Sequence, residues 1–161
     1  MQILASNQVN ELFHPDYLRE MSTLGALSRD GIDFLVANGR VLRLDQGEWL
    51  FRVDDPGNLF YIILQGSFRF FKHHHGKVTY IRNHACGEEL GFIAMIALHT
   101  RRGSAQAGEA SVVLEITSQL FNRLHRELPT DFGLLPLNLA RGMARRIREL
   151  NNLLVDHDAD P

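Results

Sequence analysis

The segment LDQGEWLFRVDDPGNLFYIILQGSFRFFK, residues 44–72, determines the fold class. It contains three runs rich in aromatic and branched aliphatic residues, which are typical of β-strands. Turn residues separate the runs at positions 45–47 (Asp-Gln-Gly), 54–58 (Asp-Asp-Pro-Gly-Asn) and 65–66 (Gln-Gly). Glycine suits such turns because it adopts a positive φ without steric cost. The segment therefore predicts consecutive antiparallel strands.

Similar apolar runs lie on both sides of this segment. Val41–Leu44 precedes it, and Val78–Ile81 and Val112–Ile116 follow it. Short strands at a spacing of about ten residues indicate an antiparallel sandwich or barrel. The sequence thus predicts a β-rich unit over residues 40–117.

Helical periodicity flanks the β-rich unit on both sides. Residues 9–38 predict short N-terminal helices, 117–128 a short helix, and 131–155 a long C-terminal helix. Pro136 lies within the last pattern, so a kink or a later start is expected there. Together these elements predict one mainly β domain with flanking helices over residues 1–161.

Composition narrows the function classes. The chain has 161 residues, 45% of them hydrophobic, and a net charge of −2, which disfavours a protein devoted to nucleic-acid or anionic-membrane binding. Its single cysteine, Cys86, forms no internal disulfide. Because no apolar run reaches 18 residues and the N-terminus does not resemble a signal peptide, a soluble, cytoplasmic location without membrane contact is expected.

The long C-terminal helix carries a narrow apolar stripe. Such a stripe packs either on the protein's own sheet or on a second helix, and its length and narrowness favour a homodimer seam. The stripe has spacings of three and four and consists of Phe132, Leu135, Leu139, Met143, Ile147, Leu150 and Leu154.

Residues 44–72 resemble the first half of a cyclic-nucleotide-binding domain. This family, found in bacterial regulators of the catabolite-activator type and in kinase regulatory subunits, implies a β-roll, a kind of jelly roll, flanked by helices. Asp54 departs from the family pattern, which usually has Gly there. The resemblance covers roughly residues 12–155. The matching positions are Gly47, Glu48, Leu50, Phe51, Asp55, Pro56, Tyr61, Ile63, Gly66 and Ser67.

The resemblance also implies a phosphate-binding cassette, a turn and short helix whose amides bind a cyclic phosphate. In the family a Glu binds the ribose hydroxyl and an Arg pairs with the phosphate. If Gly87-Glu88 is aligned with the family's Gly-Glu pair, the loop that leads to the arginines is too long. If Gly91 is aligned with the cassette glycine instead, the loop length fits. Phe92 then occupies the Glu position and Gly103 the Arg position. The candidate ligand-binding residues are Gly91, Phe92, Ile93, Ala94, Arg101, Arg102, Gly103, Ser104 and Ala105.

Loss of both polar contacts predicts weak binding of cyclic nucleotides. Hydrogen bonds to charged groups contribute about 1.5–3 kcal/mol each, so affinity falls by about two decades or more. The region 87–116 is similar to the fumarate-and-nitrate-reduction branch of the superfamily, in which the cassette is degenerate. That branch's iron–sulfur sensor does not carry over, because no cysteine precedes Cys86.

The resulting prediction is a non-enzymatic, bacterial regulatory module that signals through its C-terminal helix. Its partner is an unidentified small molecule or protein, and no cofactor is expected. The alternative is a genuine cAMP or cGMP receptor that uses Arg101 or Arg102.

The C-terminal helix resembles the dimerisation helix of catabolite-activator regulators. Leu150-Asn151 stands where that helix contacts the nucleotide base through a Thr-Ser pair. Those regulators continue into a winged helix-turn-helix, whereas only residues 155–161 follow the helix here, so no direct DNA binding is expected. The basic residues of 141–148 are interpreted as the solvated flank of the helix.

Other chemistry remains a remote alternative. His73-His74-His75 is interpreted as an exposed hairpin turn, because three consecutive residues do not converge on one ion. A cupin-like metal site lacks the Glu expected a few residues after His73 and His75. His84, His99 and the histidines of 73–75 are the candidate axial ligands of a haem variant. No metal site and no catalytic constellation, including one around Cys86, is predicted.

Overall fold

A computed structural model describes residues 1–158, which form nine strands and six helices. The helices are α1 (Ser6–Leu12), α2 (Pro15–Arg19), α3 (Arg29–Asn38), α4 (Phe92–Ile96), α5 (Ser118–Glu127) and α6 (Pro129–Asp158). The strands are β1 (Gln2–Leu4), β2 (Arg40–Leu44), β3 (Trp49–Phe51), β4 (Leu59–Gln65), β5 (Ser67–His74), β6 (Lys77–Ala85), β7 (Glu89–Leu90), β8 (Gly103–Ala107) and β9 (Ser111–Thr117).

Two antiparallel sheets form a roll. The larger sheet has the strand order β1-β2-β9-β4-β7, and the smaller sheet has the order β3-β8-β5-β6. With helices at both ends of the chain and a long C-terminal helix, this arrangement confirms the predicted mainly β fold. None of the helices within residues 1–158 combines the length and the hydropathy that a membrane crossing requires.

Strand β4 lies between two hydrophobic cores. Tyr61 and Ile63 pack against the smaller sheet inside the roll, whereas Phe60, Ile62 and Leu64 pack against the helices. Because both faces of the strand are covered, its sequence is continuously apolar rather than alternating. The roll and the helical layer therefore share one central strand.

Strand β1 was not predicted. It pairs with the edge of β2, where Ile3 lies opposite Leu42. The pairing is long-range, so three residues near the N-terminus adopt strand structure that their own pattern does not indicate. β1 shields one edge of the larger sheet.

Helix α6 begins earlier than residues 131–155 suggest. The helix starts at Pro129 and continues through Pro136. Proline suits the first position of a helix, because an N–H there would have no partner within the helix. Of the two expectations at Pro136, a kink or a later start, the later start is wrong, because the helix already includes Pro129. Leu135 and Leu139 are buried on either side of Pro136, and this packing outweighs the hydrogen bond that proline removes.

The two halves of α6 have different environments. Near its start, the Asp131 carboxylate accepts hydrogen bonds from the Ser28 N–H (2.6 Å) and hydroxyl (2.7 Å). Further along, the Asn138 amide donates to the Gly25 carbonyl at 2.7 Å. Beyond Met143 the apolar stripe is exposed, and Leu154 has 64% of its surface accessible. The first half is anchored to the N-terminal helices, and the second half extends into solvent.

Candidate functional site

Residues 91–105 connect the larger sheet to the smaller one. The chain leaves β7, turns at Gly91 with a φ of +91°, forms α4 and returns along β8. The Phe92 N–H donates to the Glu89 carboxylate at 2.9 Å, which caps the start of this helix. The turn is reached through glycine because its φ lies in a region that other residues rarely adopt.

Arg101 lies inside this connection and is only 2% exposed. Its Nη1 donates to the Gly91 carbonyl at 2.8 Å, and its Nη2 donates to the Leu59 carbonyl at 2.7 Å. The guanidinium lies 4.5 Å from the centre of the Phe51 ring, a cation–π distance. Arg101 thereby joins α4 to strands β3 and β4.

The environment of Arg101 is poor in compensating charge. Burial lowers the pKa of its guanidinium, and the nearby Tyr61, Glu89 and Asp55 partly oppose this shift. Its Nε has no hydrogen-bond partner among residues 1–158. The side chain is thus a buried cation held mainly by carbonyl oxygens and an aromatic ring.

Backbone hydrogen bonds hold Arg101 from the other side. Its N–H donates to the Asp55 carbonyl, and its carbonyl accepts from the Asp54 N–H, both at 2.9 Å. Asp54 has a φ of +69°, which explains why the resembled family prefers glycine at this position. Aspartate is among the residues that tolerate this region, so the turn is retained.

The space beneath Gly91 is occupied by Arg101. A Cβ placed on Gly91 would overlap the Arg101 Nη1 atom. Gly91 therefore serves two purposes, the positive φ and the close approach of the guanidinium. A larger residue would have to displace Arg101 from both carbonyls.

Phe92 points away from the interior of the roll. Its ring lies 5.2 Å from that of Phe60 and 6.1 Å from that of Phe121, so it belongs to the helical core. Phe121 in turn contacts Phe132 of α6, with their rings 4.9 Å apart. The three rings connect α4 through α5 to α6.

Strand β8 distributes its residues over both faces of the smaller sheet. Ala105 is buried in the roll, and a Cβ on Gly103 would meet the Phe70 ring, so both face inward. Ser104 faces the opposite way: its hydroxyl accepts from the Val53 N–H at 3.0 Å and lies 3.1 Å from the His73 Nε2.

The structure thus brings together only part of the predicted ligand-binding set. Gly91 and Arg101 are in contact, and Gly103 and Ala105 line the inside of the roll. Ala94 is buried, whereas Ile93 and Arg102 are exposed to solvent.

An ionisable group that the sequence offered only as a candidate axial haem ligand lies next to this site. His84 is half-buried against Phe70, and its Nδ1 lies 3.1 Å from the Glu89 carbonyl and 3.2 Å from the Arg82 Nη2. Burial, assisted by the Arg82 charge, lowers the pKa of His84 to about 4. Burial raises the pKa of Glu89. No local pattern marks His84, because its burial depends on β7 and the roll interior.

The other histidines and Cys86 do not gather into a ligand set. Across residues 1–158, His, Cys, Asp and Glu side chains form no cluster of three or more that could hold a metal ion. His74 and His75 stack on each other in the β5–β6 turn, and the Cys86 thiol is exposed, 3.5 Å from the Tyr17 hydroxyl.

Comparison with known sequences identifies the region that carries these features. The family described as "Cyclic nucleotide-binding domain" matches residues 41–127. The transcriptional activator protein Anr of Pseudomonas aeruginosa is 29% identical over 126 residues, which cover 78% of this chain and 49% of Anr. The chain spans no more than about half the length of the curated proteins it matches.

Solved structures resemble nearly the whole chain. A cyclic nucleotide-binding domain from Methylobacillus flagellatus is 18% identical, with a TM-score of 0.80 over 97% of this chain and 88% of that chain. The catabolite activator protein of Thermus thermophilus is 26% identical, with a TM-score of 0.70 over 85% of this chain and 63% of that one. The first of these likenesses concerns the fold alone.

We expect the Arg101→Met variant to be less stable by about 1–3 kcal/mol, because two carbonyls in the protein interior lose their donors. The matched control is Arg102→Met, which changes the neighbouring exposed arginine and should alter stability by no more than about 0.5 kcal/mol. Urea unfolding followed by circular dichroism measures both. Equal stabilities of the two variants would show that the Arg101 hydrogen bonds contribute nothing.

We expect His84 to destabilise the protein in acid. Its pKa is about 4 when folded against a reference value of 6.5, so below pH 6.5 the unfolded chain binds the proton first and unfolding is favoured. Between pH 6.5 and 4, the wild type should lose roughly 2–3 kcal/mol more than His84→Gln. The raised pKa of Glu89 has the opposite effect and favours the folded state in acid. Because the wild type and His84→Gln both contain Glu89, this effect largely cancels in the difference between them.

Unfolding free energies measured at several pH values test this expectation. His74→Gln, at an exposed turn position, is the control and should keep the wild-type pH dependence. Superimposable pH profiles of wild type and His84→Gln would contradict the expectation.

Proposed function

The chain belongs to the cyclic nucleotide-binding domain family, and from this premise we propose that it is a non-enzymatic regulatory module with a degenerate cassette. Its signal is a small molecule or protein other than cAMP or cGMP, received near residues 91–105. The response is transmitted through α6 to a second copy of the chain. No residue is assigned a catalytic role.

The position of Arg101 carries this proposal. An arginine that binds a ligand phosphate must present its guanidinium to the ligand, but Arg101 donates to the Gly91 and Leu59 carbonyls. Turning it toward a phosphate would leave two carbonyls without donors, at a cost of about 1–3 kcal/mol each. Neither Gly103 nor Phe92, packed in the helical core, supplies a replacement polar group.

The aromatic contacts between helices support a route for the signal. Phe92 follows directly after Gly91, and its ring contacts Phe121, which contacts Phe132. A ligand that moves α4 would change this packing and thereby the position of α6. Such a ligand acts by binding one of two packing arrangements more tightly than the other.

The exposed half of α6 supports assembly into a homodimer. Ile147, Leu150 and Leu154 are exposed and lie on one stripe, as in helices that pair with a second helix. Large apolar side chains gathered on one face of a protein commonly mark an interaction site. A second copy, with its own α6 alongside, would cover all three.

Calorimetric titration with cAMP and with cGMP tests the ligand proposal. We expect neither nucleotide to bind with a Kd below about 1 mM, because the polar contacts to ribose and phosphate are missing. A Kd below about 10 µM that is lost in Arg102→Ala or Arg101→Ala, but kept in the control Arg43→Ala, would instead establish a genuine cyclic-nucleotide receptor. Arg43 is an exposed arginine of β2.

Light scattering during size-exclusion chromatography tests the homodimer. We expect a dimer for the wild type and a monomer for Leu150→Glu, because a carboxylate on the seam would be buried without a partner. Arg148→Glu introduces the same residue beside the stripe and should remain dimeric. A monomeric wild type at about 100 µM, or a dimeric Leu150→Glu, would contradict this assembly.

A further inference from the structure

Three aromatic side chains form a row on the outer face of the smaller sheet: Trp49 on β3, Phe71 on β5 and Tyr80 on β6. The Phe71 ring lies 5.8 Å from that of Trp49 and 5.9 Å from that of Tyr80. Phe71 pairs with Ser104 and Trp49 pairs with Gln106, which alternate with the inward-facing Ala105. The row therefore points away from the core of the roll.

Two guanidinium groups lie over this aromatic row. Arg52 is 4.8 Å from the centre of the Trp49 ring, and Arg69 is 5.3 Å from that of Phe71 and 5.7 Å from that of Tyr80. Neither arginine forms an ion pair with any residue that the structure describes. Both cations thus remain available to an external anion.

Positive charge is concentrated on the hairpin that carries most of the row. Residues 67–85, which form β5, its turn and β6, contain Arg69, Lys72, Lys77 and Arg82 but no Asp or Glu. Of these cations, Arg82 is paired with Glu88. The acidic residues nearest in sequence, Glu88 and Glu89, follow the end of β6. Other acidic residues lie in the turns on either side of β3, at the other end of the face. The net charge of −2 conceals this separation.

The row borders an open cleft of about 400 Å³. Trp49 and Phe71 form apolar parts of its lining, and the buried Ser104 hydroxyl lies at it together with His73 and Gln106. The cleft lies on the outer side of the sheet, and the buried Arg101 side chain is not part of its lining. Its chemistry combines flat apolar rings with donors for anionic oxygens.

We propose that this outer face binds single-stranded nucleic acid, with bases stacked on Trp49, Phe71 and Tyr80 and phosphates paired with Arg52 and Arg69. Every base has an aromatic face, so such stacking is largely independent of sequence. A duplex keeps its bases stacked inside and cannot use the row. An acidic peptide would use the cations but leave the rings without stacking partners.

Trp49 is the only tryptophan of the chain, so its fluorescence reports directly on this face. Titration of the full chain with (dT)12 and with (rU)12 should quench Trp49 with a Kd of about 1–100 µM at physiological salt. Two phosphate contacts predict that log K falls with log salt at a slope of about −1.4.

Two variants of exposed residues probe the two kinds of contact. Tyr80→Ala removes one stacking surface and should weaken binding by about 5- to 100-fold. Arg69→Gln should reduce the salt slope by about 0.7. The control Arg43→Gln makes the same charge change on the larger sheet and should leave both quantities unchanged. Circular dichroism verifies that each variant is folded.

Four outcomes would overturn the proposal. They are the absence of quenching at 1 mM oligonucleotide, equal affinity for a polyglutamate of similar length, equal affinity for a twelve-base-pair duplex, and equal weakening by Arg43→Gln and Arg69→Gln. Of the residues that line the cleft, Ser104 belongs to the segment 91–105, but the rings and arginines that would bind the nucleic acid lie outside it. A negative result here would therefore leave the proposed regulatory function standing, and tight binding of cAMP or cGMP would leave this site standing.

Discussion

The connection between the two sheets depends on one buried guanidinium. Arg101 donates to carbonyls at the end of β7 and the start of β4, and it lies against an aromatic ring of β3. A buried cation requires such partners, because unpaired charge in a protein interior is strongly unfavourable. Gly91 has to remain small to admit it. The geometry of the whole segment 91–105 therefore depends on this side chain.

Coupling between this segment and the rest of the molecule follows from how the helices pack. Phe92 contacts α5, and α5 contacts the anchored half of α6. The other half of α6 exposes the apolar side chains of Ile147, Leu150 and Leu154 to solvent. In the proposed mechanism, one end of the helix responds to the packing around α4, and the other end offers a surface to a second copy. This division is the physical basis of the proposed regulation.

The net charge and overall composition of this protein conceal a local concentration of basic and aromatic residues. A net charge of −2 and an unremarkable composition disfavour nucleic-acid binding, yet residues 67–85 carry basic residues without a single acidic one. Folding then places Arg69 over the rings of Phe71 and Tyr80, and it places Trp49, distant in sequence, beside them. Charge and aromatic surface have to be located on the fold before their binding capacity can be judged.

Local patterns in the sequence were enough to predict the architecture. Glycines in turns, strands of apolar residues and helical spacing are local signals, and they predicted an antiparallel sandwich or barrel, its flanking helices and the stripe of α6. The resemblance to the cyclic-nucleotide-binding domain then implied the roll. Strand β1 and the uninterrupted course of α6 through Pro136 escaped prediction, because long-range pairing and packing produce them.

For the candidate site, the sequence located the segment and its unusual residues Phe92 and Gly103. Long-range packing places Arg101 in the interior and Arg102 in solvent, turns Ser104 outward and half-buries His84. Each of those outcomes depends on partners many residues away, such as Leu59 for Arg101 and Val53 for Ser104, and no local pattern encodes where such partners lie.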